Sequence, residues 1–211
     1  MSQHPKRPRT PPRPVTVGPE DVLPFAGALW RVHRTSGTHV LGWDTLRGWG
    51  PAANCRWDPH PEPAGHHPGH GVLYAAIDLA TAVVETFQAT RLIDPNTGTP
   101  RATSWTPNRP LRLLNLTDDW ALRNGASAAL TTAPHSTCRA WARAIRDASP
   151  DLDGLYSPST LTGRANITLW APASATFPAL PDFSEALADD LLWDRLDKIA
   201  HRYRNAGYRL I

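Results

Sequence analysis

Residues 71–87 read GVLYAAIDLATAVVETF, and the pattern changes period half-way along. Val72, Leu73, Tyr74, Ala75 and Ala76 form an apolar run without a breaker, as in a strand covered on both faces. Asp78 then offers a carboxylate to the free amide hydrogens of a first helical turn, while Leu79, Ala82, Val83, Thr86 and Phe87 recur at helical spacing. A buried strand running straight into a short amphipathic helix is predicted. Glu85 falls on the flank of the apolar face. A mid-helix carboxylate is most often solvated; the alternative is a half-buried group at a cleft, held rigid and tuned in basicity by its surroundings.

Upstream, Ala28 to His33 alternates as a strand, with Arg31 and His33 on one face and Trp30 and Val32 on the other. An arginine facing inward from a strand needs an anionic partner, either a structural carboxylate or a ligand phosphate. Downstream, Arg91 to Arg109 is polar and turn-rich, with PNTGTP at 95–100 marking a turn. Leu111 to Leu116 suggests a strand, after which Thr117 can cap a short helix. The clearest helix is Ser136 to Ala148, where Cys138, Trp141, Ala142 and Ile145 line up on one face. Arg139, Arg143 and Arg146 take another face, solvated or partner-binding. Gly154 to Ser159 reads as a strand end or tight turn with Ser157 and Ser159 on the same side. Ala165 to Trp170 reads as a strand beside the tyrosine strand, with Ile167 and Leu169 on one face and Asn166 and Thr168 on the other. Asp182 with Glu185 resembles a capping box, predicting a helix to about Arg204 striped by Ala188, Leu192, Ile199 and Tyr203. The closing YRLI is an edge strand or an extended tail.

A chain of 211 residues suits one core and is too short for two ordinary domains. Two cysteines, Cys55 and Cys138, make no disulfide framework, and no signal-peptide pattern is present, so a reduced, cytoplasmic setting is expected. No apolar run approaches the roughly 20 residues that span a bilayer. The net charge of +3 owes much to Lys6, Arg7, Arg9 and Arg13. Residues 1–20, basic and proline-rich with few aliphatic side chains, are expected to be a disordered tail. With no nucleic-acid motif beside it, that tail points to solubility more than to nucleic acid. Residues 56–70, RWDPHPEPAGHHPGH, read as a loop. His60, His66, His67 and His70, with Cys55 and Asp58 nearby, are chemically able to hold zinc, but their spacing matches no recurrent pattern and no metal is expected.

The order of three segments, LWRVHR at 29–34, the strand and helix above, and GLYSPSTLTGRANITLW at 154–170, resembles the RES domain family. The arginine, glutamate and serine that give the family its name match Arg31, Glu85 and Ser159. CRWDP at 55–59 resembles its second arginine, placing Arg56, and Tyr74 matches its strand tyrosine. The likeness covers roughly residues 23–172. It implies an α+β fold with an ADP-ribosyltransferase-like core of two small β-sheets enclosing an NAD cleft, flanked by helices. The catalytic domain would span 21–180, with a C-terminal helix and tail over 181–211 packed upon it. It further implies a bacterial toxin that breaks the bond between nicotinamide and ribose, by hydrolysis or phosphorolysis, and that is neutralised by an antitoxin protein covering the cleft. NAD would be substrate, with no further cofactor; the absence of a GxGxxG fingerprint accords with that. The implied roles are Glu85 as catalytic carboxylate, Arg31 and Arg56 as holders of the pyrophosphate, Tyr74 stacked on nicotinamide, and Ser159 or Ser157 positioning ribose or glutamate. Transfer of ADP-ribose to a protein, and a non-catalytic module binding nucleic acid or protein, are the alternatives. Membrane association is not expected, and homodimer formation is left open.

Overall fold

Strand β5 (Val72–Ala76) lies inside an eight-stranded sheet and is buried along nearly its whole length, as its unbroken apolar run requires. In the computed structural model, which describes residues 5–211, the strands follow the spatial order β1 (Val22–Phe25), β8 (Leu111–Asn115), β9 (Gly154–Pro158), β10 (Ala165–Trp170), β5, β2 (Leu29–Arg34), β7 (Pro100–Trp105) and β11 (Phe183–Ala186). Within this sheet β8 and β9 run parallel and the other neighbours antiparallel. Two small ladders join β3 (Trp49–Gly50) to β4 (Gly65–His66) and β6 (Leu92–Ile93) to β12 (Arg209–Leu210). The helices are α1 (Leu79–Thr86), α2 (Trp120–Arg123), α3 (His135–Ala148) and α4 (Asp190–Arg202). The fold is α+β, and among the described residues no helix is long and apolar enough to cross a membrane.

The large sheet has two halves. β5 and β2 are joined at the single pair Trp30–Ala76, so five strands on one side and three on the other diverge from that point. Further along the same edge of β5, Arg47 replaces β2 as the neighbour of Val72, with backbone hydrogen bonds of 2.8 and 3.1 Å. The two expected small sheets thus correspond to two halves of one forked sheet.

Three apolar clusters hold the layers together. Trp105, Leu111, Leu113, Ile167 and Leu169 fill one face under the loops that carry Trp43 and Phe177. The opposite face carries two separate cores, one beneath α1 and α4, the other beneath α2 and α3. Asp78 caps α1 as the sequence predicts, accepting from the Thr81 amide at 2.8 Å.

Several expectations are corrected. Residues 5–18 form no helix or strand yet pack along the surface: Val15 is buried, the Trp141 indole N–H donates to the Pro8 carbonyl at 3.0 Å, and that of Trp120 donates to the Thr16 carbonyl at 2.8 Å. Buried indoles require acceptors, and an extended proline-rich strip supplies carbonyls without needing a ladder. Only residues 1–4 of the expected tail lie outside the described residues. Thr117 does not cap a helix; its amide and hydroxyl both donate to Asn115, and α2 starts after Asp119. The Asp182–Glu185 stretch is strand β11, paired with β7, and α4 starts later, where Asp189 accepts from the Leu191 amide at 2.9 Å. Ala188 therefore precedes the helix and is exposed, and Leu192, Leu196, Ile199 and Ala200 make the buried stripe. The arginine face of α3 is not bare: Arg139, Arg143 and Arg146 donate to carbonyls of Ala53, His60 and Gly69, fastening the 52–69 loop to the helix.

Candidate active site

Residues paired across a ladder point to the same face, as do residues two apart along a strand. Ser157, Asn166, Ala76 and Trp30 form one such row, and Tyr74 faces Thr168 in the next row on the same side. This is the face carrying two helical cores, and between those cores the sheet presents the polar side chains of Tyr74, Thr168, Asn166 and Ser157. Glu85 enters this seam from α1. Its Oε1 accepts from the Asn166 amide at 2.7 Å, whereas Oε2 has only a long contact of 3.4 Å from Gln88. The carboxylate is therefore oriented at one oxygen and available at the other. Among the described residues, Thr168 Oγ1 is buried without a hydrogen-bond partner and the Tyr74 hydroxyl has none of good geometry, with only the Cys55 thiol beside it. Buried polar atoms nearly always find partners, so two orphans on directly paired residues mark a place where the polar groups of a ligand would be satisfied.

The Arg47 side chain lies at the far end of the seam. Burial alone would lower its pKa, but the hydrogen bond from its guanidinium to Asp58 and the charges around it outweigh burial and raise it. Burial, with the nearby Cys55 and Asp58, pushes the Tyr74 hydroxyl well up, so Tyr74 stays a neutral donor. Asp58 is fully buried yet strongly acidic, because hydrogen bonds from His60, the Ala52 amide and Arg47 overcome its desolvation.

Ser157 and Ser159 separate here. Ser157 is buried in the row of Asn166, on the seam. Ser159 closes the β9–β10 turn, its Oγ accepting from the amides of Leu161 and Thr162 at 3.1 and 3.0 Å. That turn docks on the start of α1 through Thr162 to Thr81 at 3.2 Å and Arg164 to Asp78 at 3.1 Å. Ser159 thus bears on Glu85 indirectly, by holding the turn that holds the helix.

Arg31 does not join this group. It pairs with Thr103 on the opposite face of the sheet, and its guanidinium donates to the carbonyls of Gly42 and Trp43 at 2.9 and 3.0 Å. The alternation that set Arg31 against Trp30 places Trp30, and not Arg31, on the Glu85 side. Burial lowers the Arg31 guanidinium to about 10, partly offset by Asp44. Burial and the adjacent Arg31 charge lower the His33 imidazole to about 4. The unfolded chain protonates this histidine near pH 6.5, so between about pH 6.5 and 4 the unfolded state binds more protons and stability falls as pH is lowered. His33→Gln, which can keep the 3.1 Å contact to Thr103, is expected to flatten that part of a melting-temperature profile; an unchanged slope would assign the pH dependence to other groups.

Arg56 also points elsewhere, bonding the Ala133 carbonyl and lying 3.7 Å from Cys138 Sγ, at the edge of a surface hollow of about 370 Å³ shared with Arg7 and His135. A second hollow, about 460 Å³, is lined by Glu20, Asp21, Asp118 and Asp119 with Asn115 and Arg123; the Arg123 guanidinium is taken up by Asp21 and Asp119, which leaves a carboxylate-rich wall unsuited to a phosphate. Among the described residues, no three of His, Cys, Asp and Glu stand in metal-holding geometry. Arg47, Asn166 and Thr168 are the seam residues that the sequence reading did not assign to the site; the polar face of the Ala165–Trp170 alternation was the signal for two of them.

Comparison with known proteins adds a family and a fold. The family model described as RES domain matches residues 28–194. A chain of the M. tuberculosis MbcT–MbcA toxin–antitoxin complex, known from its crystal structure, superposes with a TM-score of 0.55 at 17% identity, over 82% of this chain and 90% of its own. Comparison with curated proteins returns no match.

Proposed function

This chain belongs to the RES domain family, and from that premise we propose that it is the toxin of a toxin–antitoxin pair, an enzyme that consumes NAD by breaking the bond between nicotinamide and ribose. The observation carrying this reading is Glu85, oriented by Asn166 above a seam of buried hydroxyls. Loss of nicotinamide leaves an oxocarbenium-like ribose, and a fixed carboxylate beside it stabilises the developing positive charge. One Glu85 oxygen is committed to Asn166, which leaves the other to accept a hydrogen bond from the ribose or to orient the incoming nucleophile, water or phosphate. Tyr74, Thr168 and Ser157 supply neutral donors and acceptors that position the substrate without competing for charge.

The fold resembles that of a protein crystallised with an antitoxin, which supports a proteinaceous antitoxin covering this seam. Expression of the chain alone is expected to arrest growth and deplete cellular NAD, with recovery when the antitoxin is supplied. Normal growth with undiminished NAD would remove this reading. ADP-ribose label appearing on a protein, with little free nicotinamide produced in a macromolecule-free buffer, would replace hydrolysis or phosphorolysis with transfer.

A further inference from the structure

With Arg31 on the opposite face, the seam needs another cation for the anionic part of its substrate. We propose that Arg47 is the residue that binds the substrate's pyrophosphate, and that Asp58 is the positioning residue that aims it; the proposal rests on the reading of the substrate as NAD. Arg47 is bridged to Val72, four residues along β5 from Ala76, the partner of Asn166. That offset is about 13 Å along the strand, and as the bridge partner of Val72, two residues from Tyr74, Arg47 projects on the face of the sheet that carries Tyr74. Glu85 and Arg47 thus bracket the two orphan hydroxyls, as the ends of an extended nucleotide require.

The guanidinium is held in place. One terminal nitrogen donates to Asp58 Oδ2 at 2.7 Å and the other to the Trp49 carbonyl. Arginine has five N–H donors in a rigid fork, so three remain for a ligand, and the side chain is 23% exposed. Asp58 is immobilised in turn: Oδ2 also accepts from the Ala52 amide at 2.9 Å, and Oδ1 accepts from the amide and ring of His60. A completely buried carboxylate with both oxygens occupied is a rigid mount. It lets Arg47 meet a pyrophosphate with little loss of side-chain entropy.

The test uses the full chain with three probes: inorganic pyrophosphate by calorimetry, and nicotinamide release from NAD and from nicotinamide riboside, which lacks the pyrophosphate. Arg47→Ala is expected to weaken pyrophosphate binding by about 10- to 100-fold and to raise the KM for NAD similarly, while turnover of nicotinamide riboside changes less than about threefold. Asp58→Asn should show the same selectivity at a smaller size, about five- to tenfold, and adding it to Arg47→Ala should cost little more. Arg47→Lys keeps the charge opposite buried Asp58, guarding against a folding defect, and should recover part of the affinity. Equal losses on NAD and nicotinamide riboside would make Arg47 merely structural and overturn the proposal, as would wild-type pyrophosphate affinity in Arg47→Ala. If the wild type releases no nicotinamide yet binds pyrophosphate through Arg47, the anion site stands and the NAD-cleaving function falls.

Discussion

Glu85→Gln is expected to lower nicotinamide release from NAD by roughly two to four orders of magnitude while fold and NAD affinity stay near wild type. Glutamine keeps the length of the side chain and an oxygen able to accept from Asn166 at the present 2.7 Å, so the geometry of the seam is preserved. Only the negative charge is removed, and that charge matters where positive charge develops, in the transition state. A stabilisation of about 3–5 kcal/mol corresponds to the stated loss, since each 1.36 kcal/mol is tenfold. A solvated glutamate without a role would give full activity and a stability change within about 0.5 kcal/mol. A structural ion pair with Arg31 is ruled out by position, because that guanidinium donates to loop carbonyls on the other face of the sheet. Melting temperature, NAD affinity and turnover measured on one preparation separate loss of catalysis from loss of fold.

Gly154→Ala is expected to cost about 3 kcal/mol or more and to lower the melting temperature by about 6–12 °C. Gly154 pairs with Leu169 on β10 and with Leu113 on β8, at a φ of +153°. An added Cβ would sit 1.9 Å from the Thr168 carbonyl oxygen and 2.9 Å from its carbon. Both obstacles are backbone, so no side-chain rotation relieves the clash and β9 must move from β10. That displacement would shift Thr168 and the row behind it, so activity should fall even below the melting transition. Calorimetric unfolding checks the first part; a shift under about 2 °C would mean that the ladder opens at this point without cost.

The elements legible in the sequence are those whose local pattern and tertiary setting agree. Val72–Ala76 is a strand with those bounds, because an apolar run flanked by Gly71 and Asp78 has few other solutions. Ala165–Trp170 alternates cleanly, and the face holding Asn166 and Thr168 is the one turned to the seam. Strand β7 was hidden inside a stretch read as turns, since Arg101, Thr103 and Ser104 interrupt its apolar pattern. Two of those side chains are satisfied across the sheet instead: Arg101 donates to Ser184 and Thr103 contacts both Ser184 and His33. The Asp182–Glu185 capping signal lost to that same pairing, tertiary hydrogen bonding outweighing a local cap.

The candidate site was legible in the sequence only in part. Glu85 and Tyr74 come from the strand and helix with the strongest local pattern. Arg31 came from an alternation that was read correctly, but which face of a sheet meets the helices is set by packing that no single strand encodes. Arg47 sits in a stretch without periodicity, and it reaches the seam only because the sheet forks after one residue pair and the 47–72 bridge fills the gap. Such a residue is found from the topology and not from its neighbours in sequence.

Nicotinamide release by the purified chain from NAD in a buffer free of other macromolecules, with and without phosphate, beside Glu85→Gln, tests the proposed chemistry most directly. Stoichiometric nicotinamide and a matching ADP-ribose product are expected from the wild type, and neither from the variant. Intact NAD after prolonged incubation with folded wild-type protein, or equal turnover by Glu85→Gln, would contradict that chemistry.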